Sequence, residues 1–178
     1  MAKPMRGANK RPFLLEENVK EIPLTKGQVA LVDDEDFEWL SQHVWIVKRS
    51  DRGYLYARTS TTKGGIYMHR LLLNAPEGMQ VDHINHNGLD NRRQNMRLCT
   101  NSQNSYNSLA HRKPKTSHFK GVCWHKSTQK WLAQIGIDWK RLHLGIFDSE
   151  EDAAKAYDAK AIELFGEFAL LNFPEVKR

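Results

Sequence analysis

The sequence predicts an α+β chain: a small N-terminal β-rich region leads into a strand–loop–strand–helix unit, and a three-stranded antiparallel sheet packed on one helix follows. Three observations carry that expectation. Short alternating apolar runs bounded by turn residues fill the stretch from Ile22 to Leu73. Two further runs, Gln80 to His83 and Met96 to Cys99, flank a long polar loop and meet the capping-box sequence Thr100-Asn101-Ser102-Gln103. Beyond a basic, turn-rich stretch, three closely spaced runs precede a second N-cap signal, Asp148-Ser149-Glu150-Glu151.

Residues 1–20 are polar and basic and read as a flexible arm, with Pro4, Gly7 and Pro12 breaking regular structure. In the β-rich region, 21–110, strands are expected at Ile22–Leu24, Gln28–Val32, Val44–Val47, Tyr54–Ala57 and Ile66–Met68, turning at Gly53 and Gly64-Gly65. They would form a small mixed or antiparallel sheet. Asp34 to Gln42 reads as a short helix with Phe37 and Leu40 on one side. The core of the strand–loop–strand–helix unit is 79–109, and its helix carries Asn104 near its start. A basic linker, 111–117, separates it from the second module, 118–174. There, Phe119–Trp124, Trp131–Ile137 and Arg141–Phe147 read as strands, and the helix after them should run to Phe165 and stop at Gly166. Ala153, Tyr157, Ala161 and Leu164 give that helix its apolar face.

Composition narrows the function classes. The chain has 178 residues, with 27 Lys and Arg against 21 Asp and Glu, a formal net charge of +6. That balance suits a polyanionic partner. The 2 cysteines, Cys99 and Cys123, form no Cys-x-x-Cys pair, which argues against a disulfide scaffold and a zinc knuckle. No apolar run is long enough to span a membrane. A cytoplasmic, reducing setting is the expectation.

The residues with chemistry to offer are Asp82, His83, Asn95 and Asn104. Asp82 carboxylate and Asn104 amide oxygens are hard ligands for one divalent metal ion, Mg²⁺ or Mn²⁺, placed against a phosphodiester. A neutral imidazole at His83 is a suitable general base near pH 7. Asn95 is cast as a loop clamp, its amide bonding backbone across the polar loop. Arg92, Arg93 and Arg97 are available for phosphate contacts.

The stretch Val81-Asp82-His83-Ile84-Asn85-His86-Asn87-Gly88-Leu89-Asp90-Asn91-Arg92-Arg93-Gln94-Asn95-Met96-Arg97-Leu98 resembles the HNH endonuclease family, in its phage and intron homing branch. Tyr67-Met68-His69-Arg70-Leu71-Leu72 resembles the lead-in of that group. The resemblance implies a ββα-metal motif with His83 as general base, Asp82 and Asn104 as metal ligands, and Asn95 as the middle asparagine. Many members carry histidine where this chain has Asn104.

The second module is electrostatic in character. From Arg112 to Arg141 the chain carries eight cations against Asp138 alone, while the helix beyond is acidic. Period-two alternation sends Trp131, Ala133, Ile135, Leu142 and Leu144 toward the helix, leaving Lys130, Leu132, Gln134, Arg141 and His143 on the opposite face. Long polar side chains on a strand face suit the major groove. Gly121-Val122, Trp131-Leu132-Ala133-Gln134-Ile135, Arg141-Leu142-His143-Leu144-Gly145-Ile146-Phe147 and Leu171-Asn172-Phe173-Pro174 resemble the Apetala-two/ethylene-response-factor DNA-binding domain. That resemblance implies DNA contacts from Lys120, Cys123, His125, Lys130, Gln134, Arg141 and His143. Plant members favour arginine at the positions of Cys123 and His125, so their target sequence does not transfer.

Together these readings predict a site-specific, homing-type DNA endonuclease, monomeric, acting on double-stranded DNA in a host cytoplasm, phage-encoded or bacterial. Three rivals stand beside it: a non-catalytic sequence-specific regulator with a decayed nuclease half, an RNA-directed nuclease or RNA binder, and a purely structural interaction module, which leaves the intact Asp82, His83 and Asn104 set unexplained. The RNA binder requires exposed aromatic platforms on the sheet.

Overall fold

The computed structural model describes residues 18–59, 64–109, 116–138 and 140–174. The arm over 1–17, most of the linker and Trp139 lie outside the described residues. The chain divides into two compact units, Met1–Ala75 with His83–Arg97, and Pro76–Asp82 with Leu98–Arg178. That division passes through the motif hairpin.

The first unit is built on antiparallel hairpins. β1 (Val19–Pro23) pairs with β2 (Val29–Asp33) and places Ile22 opposite Ala30. α1 (Asp34–Leu40) follows, its first turn carrying Asp34, Glu35 and Asp36 where negative charge complements the helix dipole. β3 (Trp45–Arg49) pairs with β4 (Leu55–Thr59), with Val47 opposite Ala57. The two hairpins do not merge into one sheet. Ile22, Ala30, Val32, Leu40, Trp45, Ala57, Met68 and Leu72 are buried. The Trp45 indole donates 2.8 Å to the Leu40 carbonyl at the end of α1, which also accepts from His43 N at 3.1 Å.

The expected strand at Ile66–Met68 does not form. A single bridge joins Arg58 to Tyr67, and the chain then turns into α2 (Met68–Leu72). Met68 and Leu72, four apart, are both buried, so helical spacing prevails where a three-residue apolar run was ambiguous.

β5 (Gln80–His83) and β6 (Met96–Cys99) form a third two-stranded pair at the expected positions. The polar loop between them is pinned to β2. Leu31 donates to the Leu89 carbonyl, and Asn91 donates to the Leu31 carbonyl, both at 2.8 Å. At Gly88 the loop passes so close to the Leu55 carbonyl and the Tyr56 ring that a Cβ has no room.

In the second unit, α3 (Asn101–Tyr106) begins at the expected cap: the Thr100 hydroxyl accepts from Gln103 N, and Gln103 Oε1 accepts from Thr100 N. β7 (Val122–His125), β8 (Lys130–Ile137) and β9 (Lys140–Phe147) make the three-stranded antiparallel sheet in that order, and α4 (Glu150–Phe165) covers one face. Val122, Ala133, Ile135, Ala153, Tyr157 and Ala161 form its core. Gly121, at φ +78°, lies directly against the Tyr157 ring. The register slips by one residue between Ala133 and Gln134, a bulge that leaves Leu144 unopposed but still packed on the core. Leu142 stands opposite the helix-facing Ile135, as expected, but on the outer strand it remains 42% exposed. α4 stops at Gly166, φ +52°. The buried Asp158 accepts from the backbone of Asn172 and Phe173 and from the Asn172 amide, holding the end of the described chain against α4. No helix among the described residues is long and apolar enough to cross a membrane.

Candidate active site and nucleic-acid interface

In the first unit His83 ends β5 and is buried among rings. His69 meets it edge-on with centroids 5.2 Å apart, and Tyr56 lies 6.0 Å away. His69 in turn stacks on Tyr67 at 5.3 Å and 11°. Burial pushes the His69 imidazolium down to about 3, with the charges of His83 and Arg70 adding to the effect. This ring box orients the His83 imidazole by packing.

The loop behind His83 is tied by Asn95, which is buried. Its Oδ1 accepts from Asn85 N at 3.0 Å, while its Nδ2 donates to Asn85 Oδ1 at 3.0 Å and to the Asp90 carbonyl at 2.8 Å. Asp90 grips Arg92 through two short bonds, 2.7 Å from Nε and 2.6 Å from Nη2. Burial works to raise the Asp90 carboxyl, but the bonds and charge of Arg92 and the Asn85 amide outweigh it and hold the group below the usual carboxylate range. Arg93 pairs bidentately with the buried Asp36, 2.8 Å from both Nε and Nη2, and its backbone N–H donates to Asp33. Both arginines are thus engaged in fastening the loop; Arg97 is half-buried on β6.

In the second unit Asp82 is buried, and its two carboxylate oxygens accept from Asn107 Nδ2 at 2.9 and 3.1 Å. Asn104 donates instead to Gln80 Oε1 at 2.5 Å. Gln80 and Asp82 share one face of β5 because they are two apart, and Asn104 and Asn107 share one side of α3 because they are three apart. Sequence spacing singled out Asn104 and passed over Asn107, although the three-residue interval offered the signal. Among the described residues no group of three or more His, Cys, Asp or Glu could hold a metal. The donors at hand are one carboxylate and neighbouring amides. An oxygen-only set with one carboxylate fits a hard cation that keeps much of its water, as Mg²⁺ does. Either amide can present its oxygen by turning over.

The sheet module gathers the other sequence-predicted residues. Cross-strand register pairs His125 with Lys130, Cys123 with Leu132, Gln134 with His143 and Gly136 with Arg141. His125, Lys130, Gln134, Arg141 and His143 therefore share the face turned away from α4, since Val122, Ala133 and Ile135 face the helix. Lys130 pairs with the exposed Asp148 at 2.9 Å, and His125 Nδ1 shares a 2.8 Å hydrogen bond with Thr128. Lys120 departs from this group: its ammonium bonds the carbonyls of Tyr106 and Ser108. Trp124 stands opposite Trp131, rings 5.0 Å apart, and Trp131 packs on the core. Neither tryptophan supplies a platform on the outward face.

A nuclease-type strand–loop–strand–helix motif joined to a sheet of DNA-binding type is the class these parts define, and the comparisons place the chain within it. The HNH endonuclease model matches residues 74–106, and the AP2 domain model matches 117–167. An uncharacterized HNH endonuclease of Acanthamoeba polyphaga mimivirus is 33% identical over 153 residues, covering 83% of this chain and 76% of that protein. Protein 3.8 of Escherichia phage T7 is 33% identical over 94 residues, covering 53% of this chain and 76% of that protein. APETALA2-like protein 2 of Oryza sativa is 43% identical over 60 residues, 33% of this chain but 14% of its own length. The chain belongs to the HNH endonuclease family and carries an AP2 domain beside its nuclease domain.

Proposed function

We propose that this protein is a site-specific, homing-type endonuclease that hydrolyses a phosphodiester of double-stranded DNA, acting as a monomer in a phage or bacterial host. The observation that supports it best is the state of the motif strand. Asp82 is buried and held by an amide, and His83 beside it is set in a box of rings. A divalent cation, when bound, supplies positive charge for the scissile phosphate and the leaving 3′ oxygen. Asp82 would hold it, with Asn104 or Asn107 contributing an amide oxygen. His83 takes the proton from the attacking water and Asn95 holds the loop that frames it. The outward face of β7–β9 reads base edges through Gln134, Arg141 and His143, with His125 and Lys130 beside them. Arg97 is assigned to phosphate, whereas Arg92 and Arg93 serve the loop.

The rival reading, a DNA-binding regulator without catalysis, draws on the same reading face and on the single carboxylate of the donor set. Incubation of supercoiled plasmid and phage or host DNA with Mg²⁺ or Mn²⁺, beside EDTA and His83→Ala controls, separates the two. Metal-dependent nicking or linearisation lost in the variant is expected. Tight, sequence-selective binding with no cut in any of these DNAs would replace the nuclease reading by the regulator.

A further inference from the structure

Sequence alone assigns α3 to the nuclease motif and sets the reading sheet apart behind a basic linker. In the structure α3 and the sheet module belong to one compact unit. Tyr106, the last residue of α3, lies flat on Phe165, the last residue of α4, with centroids 3.8 Å apart and planes within 10°. Lys120 adds an electrostatic bond. Its ammonium donates to the Tyr106 carbonyl and, at 3.0 Å, to that of Ser108, at the end of α3 where carbonyls lack helical partners and cations are favoured. The Lys120 backbone is itself fixed, since its N–H donates to Asn172 Oδ1 and its carbonyl accepts from Asn172 Nδ2. The opposite side of this dock reaches the motif strand, with Asn104 on Gln80 and Asn107 on Asp82.

We propose that this dock makes α3 a spacer of fixed length, holding the Asp82 part of the motif at a set distance from the bases read by β7–β9, so that the protein cuts at one offset from the sequence it recognises. Tyr106 and Lys120 are positioning residues for the cut, and Lys120 exchanges the DNA contact implied by its domain family for this role. The inference rests on the nuclease reading above.

The test uses the full chain and a duplex enriched by the wild-type protein from a random-sequence pool in EDTA. Cutting is started with Mg²⁺ and every 5′ and 3′ end is mapped by sequencing. The wild-type protein should cut each strand it cleaves at a single offset. When a few base pairs are inserted between the read sequence and the cut, the cut should move with the read sequence. Tyr106→Ser and Lys120→Met should spread the ends over several base pairs and slow cutting at the wild-type position by roughly tenfold to a hundredfold. Binding of the duplex by Tyr106→Ser in EDTA should be unchanged, which shows that the reading module is folded. A single offset retained in Tyr106→Ser, a scattered cut by the wild-type protein, or a cut that stays with its local sequence after insertion would each overturn the spacer. The insertion arm needs no variant. Absence of any cut by the wild-type protein overturns the underlying nuclease reading and is seen before the other arms are compared.

Discussion

Asn95→Asp changes one atom in the buried loop clamp. The two donations from Nδ2, to the Asp90 carbonyl at 2.8 Å and Asn85 Oδ1 at 3.0 Å, are lost, while the bond accepted from Asn85 N survives. Two lost bonds cost about 1 to 1.5 kcal/mol each. The new carboxylate oxygen also faces two acceptors in a site where Asn95 is 7% exposed, so the full cost is about 3 to 5 kcal/mol. That is a large share of the roughly 5 to 15 kcal/mol that holds a domain together. Urea unfolding at pH 7, followed by tryptophan fluorescence, measures it. The sign with pH follows from the same geometry. Repulsion raises the introduced acid above its unfolded value, so the charge-dependent part of the penalty is absent below the unfolded carboxyl range and grows as pH rises through the raised one, while the loss of one donation, which a single O–H cannot replace, stays at every pH. A variant within about 1 kcal/mol of wild type at pH 7 would refute the clamp as the source of the loop's rigidity.

Other consequences are as concrete. Asn107→Ala should weaken Mn²⁺ binding in the absence of DNA by about 10- to 100-fold, read by electron paramagnetic resonance, and Asn104→Ala should weaken it less; equal affinities in all three proteins would contradict the placement of Asn107 on Asp82. His69 is neutral in the folded chain until about pH 3, so stability is full above about 6.5, where the unfolded histidine is also neutral. It should fall by about 1.4 kcal/mol per unit as pH drops from there, within a ceiling of a few kcal/mol, and a His69→Phe variant should flatten that slope. Arg97→Ala should reduce the salt dependence of DNA binding by about one phosphate contact, whereas Gln134→Ala should cost about 1 to 3 kcal/mol on the preferred sequence and relax selectivity. Equal losses on all sequences for Gln134→Ala would move it off the base edges.

Local signals made much of this protein legible. The bounds of β5 and β6 follow from apolar runs beside a polar loop, and the start of α3 follows from Thr100 and Gln103, whose reciprocal bonds span three residues. α4 was readable from Ser149, the Ala153–Tyr157–Ala161 stripe and Gly166 for the same reason. What sequence left hidden depends on contacts between distant segments. Arg93 reads as a free cation, yet its carboxylate lies 57 residues away at Asp36. Lys120 reads as a DNA contact because nothing local shows that the end of α3 will come to it. Strict alternation from Leu142 and Leu144 would send Ile146 inward, but the bulge at Leu144 sets it opposite Leu132 on the outward face. Tyr67 lies between strand and helix tendencies, and burial of Met68 and Leu72 decides the outcome.

Hydrolysis by the motif strand is put to the test by following binding and cutting of one labelled duplex, carrying the enriched sequence, with wild-type protein and His83→Ala in Mg²⁺ or Mn²⁺. Equal binding with cleavage reduced by roughly 10²- to 10⁴-fold in the variant is the predicted result. Equal cleavage by the two proteins, or firm binding by the wild type with no cleavage under either metal, would contradict it.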